Sequence, residues 1–303
     1  MTQTIAISVS SFAEADQTPL KILSDAGVII KPNPLSRRLN EEEIIDHLKG
    51  VDGLIAGLEP LNRRVLSSAP NLKAISRVGI GMDNVDLAAA RDLDIKVSNT
   101  PDPPTDAVAE MTVAAMLALA RRIVPSDRAI HAGRWEKIMG IGLSGCRVLI
   151  VGFGRIGRRV SDILKSLKTE IAVCDPNLTA ADIPETCSFK ELHEGLQWAD
   201  IVTLHASGKS QILGSGELGL MKTGALLLNS ARGELVDEAS LIDALTKGNL
   251  GGVWFDAFWK EPYSGKLSES SLALLTPHVS TYTDSCRRGM ETEAVLNLLK
   301  DLK

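Results

Sequence analysis

The chain has 303 residues, enough for two domains of roughly 100–200 residues each. Its 44% hydrophobic and 23% charged content suits a globular protein with a sizeable core, and a formal net charge of -5 argues against nucleic acid or an anionic membrane as the main partner. No apolar run approaches the ~18 residues of a membrane span, no export signal opens the sequence, and Cys146, Cys174, Cys187 and Cys286 form no ligand spacing, so a cytoplasmic protein without a bound metal is expected. In chain order, the β-branched runs Ile5–Val9, Gly27–Ile30, Gly53–Ala56, Lys73–Ser76 and Ile95–Val97 read as buried strands. Helical segments lie between them, among them Glu41–Leu48 with Asn40 as N-cap. A long apolar helix at Thr105–Ile123 and a second at about Ser126–Ala132 interrupt the pattern.

Strand and helix then alternate again through Arg147–Val151, Glu170–Cys174, Ile201–Leu204, Ala225–Leu228 and Gly251–Phe255, before a final helix at Asp284–Leu302. Such alternation implies parallel sheets covered by helices on both faces. We therefore expect an α/β protein of two doubly wound, Rossmann-like domains with an interdomain cleft. The first would comprise residues 1–99 plus 282–303, the last helix returning to it, and the second residues 100–281. The helix over 105–123 is more apolar than a solvated helix should be, which suggests a homodimer surface.

The strongest local signal is Arg147–Gly157, where Gly152, Gly154 and Gly157 fit G-x-G-x-x-G between a strand and a helix. The first glycine makes the tight turn, the second admits a pyrophosphate to the backbone, and the third lets helix and strand pack. The helix N-terminus adds unpaired N–H groups and partial positive charge. Alone, this motif also describes a ligand-free glycine turn. Asp175, ending the next strand roughly 20 residues on, supplies the carboxylate that accepts ribose hydroxyls. A 2′-phosphate beside it would be repelled by about 4 kcal/mol at an effective dielectric of 20, and no Arg or Lys follows within DPNLTAAD, so NAD is favoured over NADP.

Hydride transfer between an alcohol and a carbonyl needs an acid/base and, for a 2-oxo acid, a cation for the carboxylate. Arg232 follows the Ala225–Leu228 strand, Glu261 follows Gly251–Phe255, and His278 follows the run Leu272–Leu275. Three polar residues at three strand ends can converge where open α/β sheets bind ligands. Singly, each has a bland reading as an ion-pair partner, a solvated turn or a satisfied core histidine. His205 reads as a structural or cofactor contact, and His47, His131 and His193 as surface or helix residues.

The segments NSARGELVDEASLIDAL, DAFWKEP, TPHVST and VGIGMDNVDLAAARDLDIKVSNTP, with the DAVAE helix start, resemble the D-isomer-specific 2-hydroxyacid dehydrogenases, phosphoglycerate-dehydrogenase-like branch. The resemblance covers nearly the whole chain. It implies Arg232 as the substrate carboxylate ligand, His278 as the acid/base and Glu261 as its support, since a nearby carboxylate favours imidazolium. It further implies that Val78 and Gly79 lend backbone N–H groups to the substrate and that Asp256 orients the nicotinamide carboxamide. Arg155 and Ile156 would touch the pyrophosphate, and Thr105, Ser230 and Ala231 would lie along the cofactor.

The sequence departs from the family at VWFDAFWKEP, where Trp254 and Phe255 add core bulk and Trp259 lies nearer the site, and at VSTYT, where Ser280, Thr281 and Tyr282 replace a glycine-rich stretch. A phosphorylated substrate would need a further cation; among Arg37, Arg38, Arg63, Arg64 and Arg77, the last precedes Val78 and is the candidate. A regulatory domain beyond the final helix is not expected. The reading is an NAD-dependent enzyme interconverting a small D-2-hydroxy acid and its 2-oxo acid, of the phosphoglycerate/phosphohydroxypyruvate or glyoxylate/hydroxypyruvate type. An NAD(H)-sensing corepressor of the same fold and a formate dehydrogenase remain the alternatives.

Overall fold

The computed structural model describes residues 2–303. Two compact units emerge, one formed by the chain up to Pro104 together with Thr281–Lys303, the other by Thr105–Ser280. In the first, strands β1 (Thr4–Ile7), β2 (Ile29–Lys31), β3 (Gly53–Ala56), β4 (Ala74–Arg77) and β5 (Lys96–Asn99) form a parallel sheet in the order β2-β1-β3-β4-β5. Helices α1 (Thr18–Asp25), α2 (Glu41–His47), α3 (Arg63–Ser67) and α4 (Leu87–Asp92) connect them. Helix α2 starts where it does because Asn40 and Glu43 form a reciprocal capping box. Ile44, Leu48, Val65, Leu66 and Ala89 cover one sheet face, packing on Ala6, Leu54, Ala56 and Ile75.

The second unit begins with α5 (Pro104–Ala120) and α6 (Ile123–His131). Its seven strands are β6 (Arg147–Val151), β7 (Glu170–Cys174), β8 (Cys187–Phe189), β9 (Ile201–Leu204), β10 (Ala225–Asn229), β11 (Leu250–Phe255) and β12 (Ala273–Leu275). They pair in parallel as β12-β11-β10-β9-β6-β7-β8. Helices α7 (Arg155–Ser166), α8 (Leu192–Trp198), α9 (Ser215–Leu220) and α10 (Glu238–Thr246) form the crossovers. Alternate residues feed two cores. Leu149, Val202, Leu227 and Val253 face one, while Val148, Ile150, Leu226, Leu228 and Trp254 face the other. Both faces of the sheet are buried, which is why its strands read as continuous apolar runs rather than alternating ones.

The last helix, α11 (Asp284–Asp301), belongs to the first unit, where it packs against α1, β3, β4 and β5. Gly53 lies directly beneath it, since a Cβ there would come within 2.9 Å of Leu302. Two expectations need correction. The helix expected over 105–123 ends at Ala120: Arg122 turns the chain through a left-handed backbone (φ 53°), donates to the Gly251 carbonyl at 3.0 Å, and Ile123 opens α6. A short edge strand, β8, carries no alternation over its three residues and was not anticipated. Among the described residues no helix is long and apolar enough to cross a membrane.

Candidate active site

In the second unit the strand order reverses between β6 and β9, and doubly wound sheets bind ligands outside the strand ends at such a point. Gly152 follows β6 with φ +89°, and a Cβ on it would lie 2.5 Å from the Ala206 nitrogen after β9. A Cβ on Gly157 would strike the Gly152 carbonyl oxygen at 2.3 Å, so helix and turn touch backbone to backbone. By contrast, nothing lies within 4 Å of a Cβ on Gly154, which caps α7 in extended conformation. The first-turn N–H groups of Arg155 and Ile156 follow it directly. Asp175 steadies the turn by accepting from Phe153 N at 2.8 Å and from Asn177 N at 2.9 Å.

Strands β10, β11 and β12 are neighbours, so the segments after them leave the sheet side by side. Arg232 follows β10; its Nη1 donates to the Ala231 carbonyl at 2.7 Å, and Asn229 ties the loop by donating to Arg232 O and accepting from Ala231 N. Gly233 brings this loop against the next, because a Cβ there would meet Phe258 C and Trp259 N at 2.3 Å. Three residues beyond Phe258, Glu261 accepts from the Phe258 N–H at 3.1 Å. Its two oxygens lie 3.0 and 3.1 Å from Nδ1 of His278. Nε2 is thereby left as the reactive nitrogen of a half-buried imidazole.

His278 adopts a left-handed backbone (φ 55°), an uncommon conformation for a residue other than glycine. Asp256 helps to hold it there. This carboxylate, 1% exposed, accepts from the Thr276 hydroxyl at 2.6 Å and from Val279 N and Ser280 N at 2.9 Å each. Trp254, fully buried, donates to the same Thr276 hydroxyl. Asp256 was expected at the carboxamide; its visible partners instead fix the segment on both sides of His278. Trp259 stacks on Phe255 and donates to Val236 O, an aromatic wall behind the Glu261 loop.

His205 directly follows β9 at the reversal point. Its Nε2 pairs with Thr203 Oγ1 at 2.9 Å, its Nδ1 is buried without a hydrogen-bond partner, and burial pulls its pKa down to about 4, so the ring is neutral. His47 is a correction to a surface reading: it lies in α2 but is buried, bonded to the Ile7 carbonyl, and burial lowers its pKa.

The first unit gives a second correction. The backbone N–H groups of Val78 and Gly79, expected to hold a substrate, are already taken: Val78 N donates to Ala56 O at 2.9 Å and Gly79 N to Thr100 Oγ1 at 2.7 Å. Strand pairing runs one residue past β4 and consumes the first, and the buried threonine hydroxyl consumes the second. Among the described residues, the N–H groups of the next two residues, Ile80 and Gly81, donate to no protein acceptor.

The family described as D-isomer specific 2-hydroxyacid dehydrogenase, NAD binding domain, matches residues 113–280. A glyoxylate reductase of Thermococcus litoralis is 33% identical over 84% of this chain and 82% of its own length. The chain belongs to the D-isomer specific 2-hydroxyacid dehydrogenase family. A D-3-phosphoglycerate dehydrogenase of Archaeoglobus fulgidus is 31% identical over 87% of this chain, which spans about half (52%) of that protein. The crystal structure of a glyoxylate reductase from Paecilomyes thermophila superposes with a TM-score of 0.88 at 26% identity, covering 100% of this chain and 96% of that one. The protein is thus an NAD-dependent dehydrogenase that interconverts a small 2-hydroxy acid and its 2-oxo acid.

The residues present fit NAD. Gly154 leaves space for a phosphate at the start of α7, and Asp175 keeps acceptor capacity beyond its two backbone donors. The buried hydroxyls of Thr105 and Ser280 and Nδ1 of His205 lack protein partners, as polar groups awaiting a ligand do. Ser230 faces Thr112 at 3.4 Å. The unspent N–H groups of Ile80 and Gly81 were not foreseen, because residue types say nothing about which N–H groups are taken. The signal available was the second glycine of VGIG, two residues after the first.

Proposed function

We propose that the enzyme reduces short, unphosphorylated 2-oxo acids of the glyoxylate and hydroxypyruvate type, with His278 as acid, Glu261 as its support and Arg232 as the carboxylate ligand. The observation that carries this reading is the contact between Glu261 and His278 Nδ1, which orients the imidazole and leaves Nε2 to carry the transferred proton. Bound NADH supplies the hydride. Gly152, Gly154, Arg155, Ile156 and Gly157 hold its pyrophosphate, Asp175 its ribose, and Thr105, Ser230, Ala231 and Asp256 line or support the remainder. Arg232 polarises the carbonyl and anchors the carboxylate. The alcohol produced has the D configuration.

Four of the five arginines considered for a phosphate support an unphosphorylated substrate. Arg37 pairs with Glu43, Arg63 with Asp92, and Arg64 with Glu41 and Glu42. Arg77 folds onto its own loop and donates to Val78 O at 2.9 Å. The relatives named glyoxylate reductase point the same way. A homodimer fits the exposed apolar surface that follows α5, where Ile123, Ile130, Trp135 and Met139 are 53%, 53%, 85% and 91% exposed. Four free cysteines support work in a reducing compartment such as the cytoplasm.

NADH oxidation measured across glyoxylate, hydroxypyruvate, pyruvate and phosphohydroxypyruvate tests the substrate class, with the first two expected to give the highest kcat/KM. Preference for phosphohydroxypyruvate would overturn it. In the same assay His278→Ala should lower kcat by roughly 100-fold or more while NADH binding survives. Near-normal turnover would remove His278 from the mechanism.

A further inference from the structure

Two large aromatic residues flank Glu261 symmetrically, Trp259 two positions before it and Tyr263 two positions after. Neither takes part in the chemistry assigned above. Both reach across to the segment that follows Arg232. Trp259 donates from Nε1 to the Val236 carbonyl at 2.7 Å, and Tyr263 donates from its hydroxyl to Glu238 Oε1 at 2.6 Å. The anchors are firm. Val236 is 1% exposed and forms an isolated parallel bridge with Leu213, and Glu238 is the first residue of α10, whose start Asp237 caps by accepting from Ser240 N.

The rings are packed as well as tethered. Trp259 stacks on the fully buried Phe255 at the end of β11 with centroids 5.3 Å apart, Tyr263 stacks on Phe258 at 4.6 Å, and Trp259 and Tyr263 lie 6.0 Å from each other. The Tyr263 hydroxyl also accepts from Leu267 N at 3.0 Å, and Gly265 passes so close to the phenol that a Cβ there would strike it. Burial, and then the bond to Glu238, push the phenol up to about 12, so it remains a donor at neutral pH. Gly233 brings the two loops together backbone to backbone. Between the two tethers hangs Glu261, which accepts from Phe258 N at 3.1 Å and meets Nδ1 of His278 through both oxygens. Every residue of this arrangement lies within the second unit.

We propose that Trp259 and Tyr263 are positioning residues that clamp the Glu261 loop to the segment behind Arg232, so that the carboxylate stays within hydrogen-bond reach of His278. This rests on the roles given above to Glu261 and His278. A side chain on a loop orients its partner only as well as the loop itself is held. Loss of one tether leaves the loop hinged at the other, and loss of both lets Glu261 drift by a fraction of an ångström. That drift costs the imidazole its orientation and leaves the nucleotide turn after β6 in place. The effect therefore falls on kcat rather than on NADH binding.

The test uses the full-length enzyme with Trp259→Phe, Tyr263→Phe and the two together, each change removing a tether while keeping a ring. Steady-state kinetics with NADH and glyoxylate, or the better 2-oxo acid of the screen above, should show kcat lowered about threefold in each single variant and about tenfold in the double, with NADH affinity unchanged. The same changes made in a Glu261→Ala enzyme should lower kcat no further, because a clamp that acts through Glu261 then has nothing left to position. A merely structural role gives the same fold-loss in both backgrounds, and that result overturns the proposal, as does a double variant with wild-type kcat. Amide hydrogen exchange over residues 258–264 reads the clamp itself, and it should accelerate in the double variant while the exchange of β6 and α7 stays as in the wild type. Unchanged exchange over 258–264 also overturns the proposal. Wild-type turnover in Glu261→Ala would instead sink the role given to Glu261, with the exchange experiment still deciding whether the loop is clamped. Should the double variant fail to fold, the single variants carry both measurements.

Discussion

The two units share one architecture and use the same place in it in opposite ways. Each is a doubly wound parallel sheet with one reversal of strand order, β1 against β3 in the first and β6 against β9 in the second. At the second reversal the chain supplies glycine, an open N-terminal turn of α7 and a neutral buried imidazole, and so leaves room for an anionic ligand. At the first it supplies Glu59, held by Ser8 and Gly57, and so fills the crevice with its own carboxylate. The fold offers a binding point wherever strand order reverses; side chains decide whether a ligand or the protein occupies it.

The sharpest way to break this contrast is to add one methyl group to each turn. Gly152→Ala puts a Cβ 2.5 Å from Ala206 N at φ +89°, combining overpacking of about 1–3 kcal/mol with backbone strain of similar size. NADH affinity, measured by fluorescence titration, should fall about 100-fold. The matching Gly57→Ala has no such strain; its nearest neighbour is Glu59 Oε2 at 3.1 Å, on a side chain that can shift. Its NADH affinity should be unchanged and its KM for glyoxylate raised by only about threefold. Equal losses of NADH affinity in the two variants would erase the distinction.

A smaller effect sharpens the ligand side. Asp175→Ala removes the carboxylate that a 2′-phosphate would face, and the ratio of NAD to NADP efficiency should narrow by about tenfold. An unchanged ratio would take cofactor choice away from Asp175. The smallest effect concerns stability. Burial holds folded His205 near 4, below its ordinary 6.5, so unfolding takes up a proton once pH falls toward and below 6.5. Stability contributed by keeping this ring neutral is present above pH 6.5 and is lost as pH falls toward 4. Between pH 7.5 and 6 the loss is about 1 kcal/mol, and urea titrations of His205→Gln should show a correspondingly flatter pH profile over that interval. An identical profile in the variant would locate the pH dependence elsewhere.

How much of this was legible in the sequence varied with the kind of information required. Gly152, Gly154 and Gly157 could be placed from residue types alone, because backbone contact excludes any other residue at the first and third. That Glu261 and His278 converge was inferred from two strand ends in order, and their pairing was implied by the family resemblance; the strands after which they follow are adjacent. Ile123 was assigned to the wrong helix because an apolar run has no mark for the left-handed turn at Arg122. Arg77 looked available to a phosphate because residue types do not show that its guanidinium folds back onto the Val78 carbonyl and against Gly79.

Sequence by itself determined the two parallel α/β units, the nucleotide turn and the identity of the polar residues at the strand ends, because these follow from periodicity, from glycine's missing side chain and from the chemistry of side-chain groups. Only the tertiary structure decided which donors and charges are already spent. Val78, Gly79, Glu59 and Asp256 all carry groups able to bind a ligand, and in each case a neighbour distant in sequence has claimed them. A buried polar group must find a partner, and which partner it finds is set by strand register and loop approach rather than by its own identity.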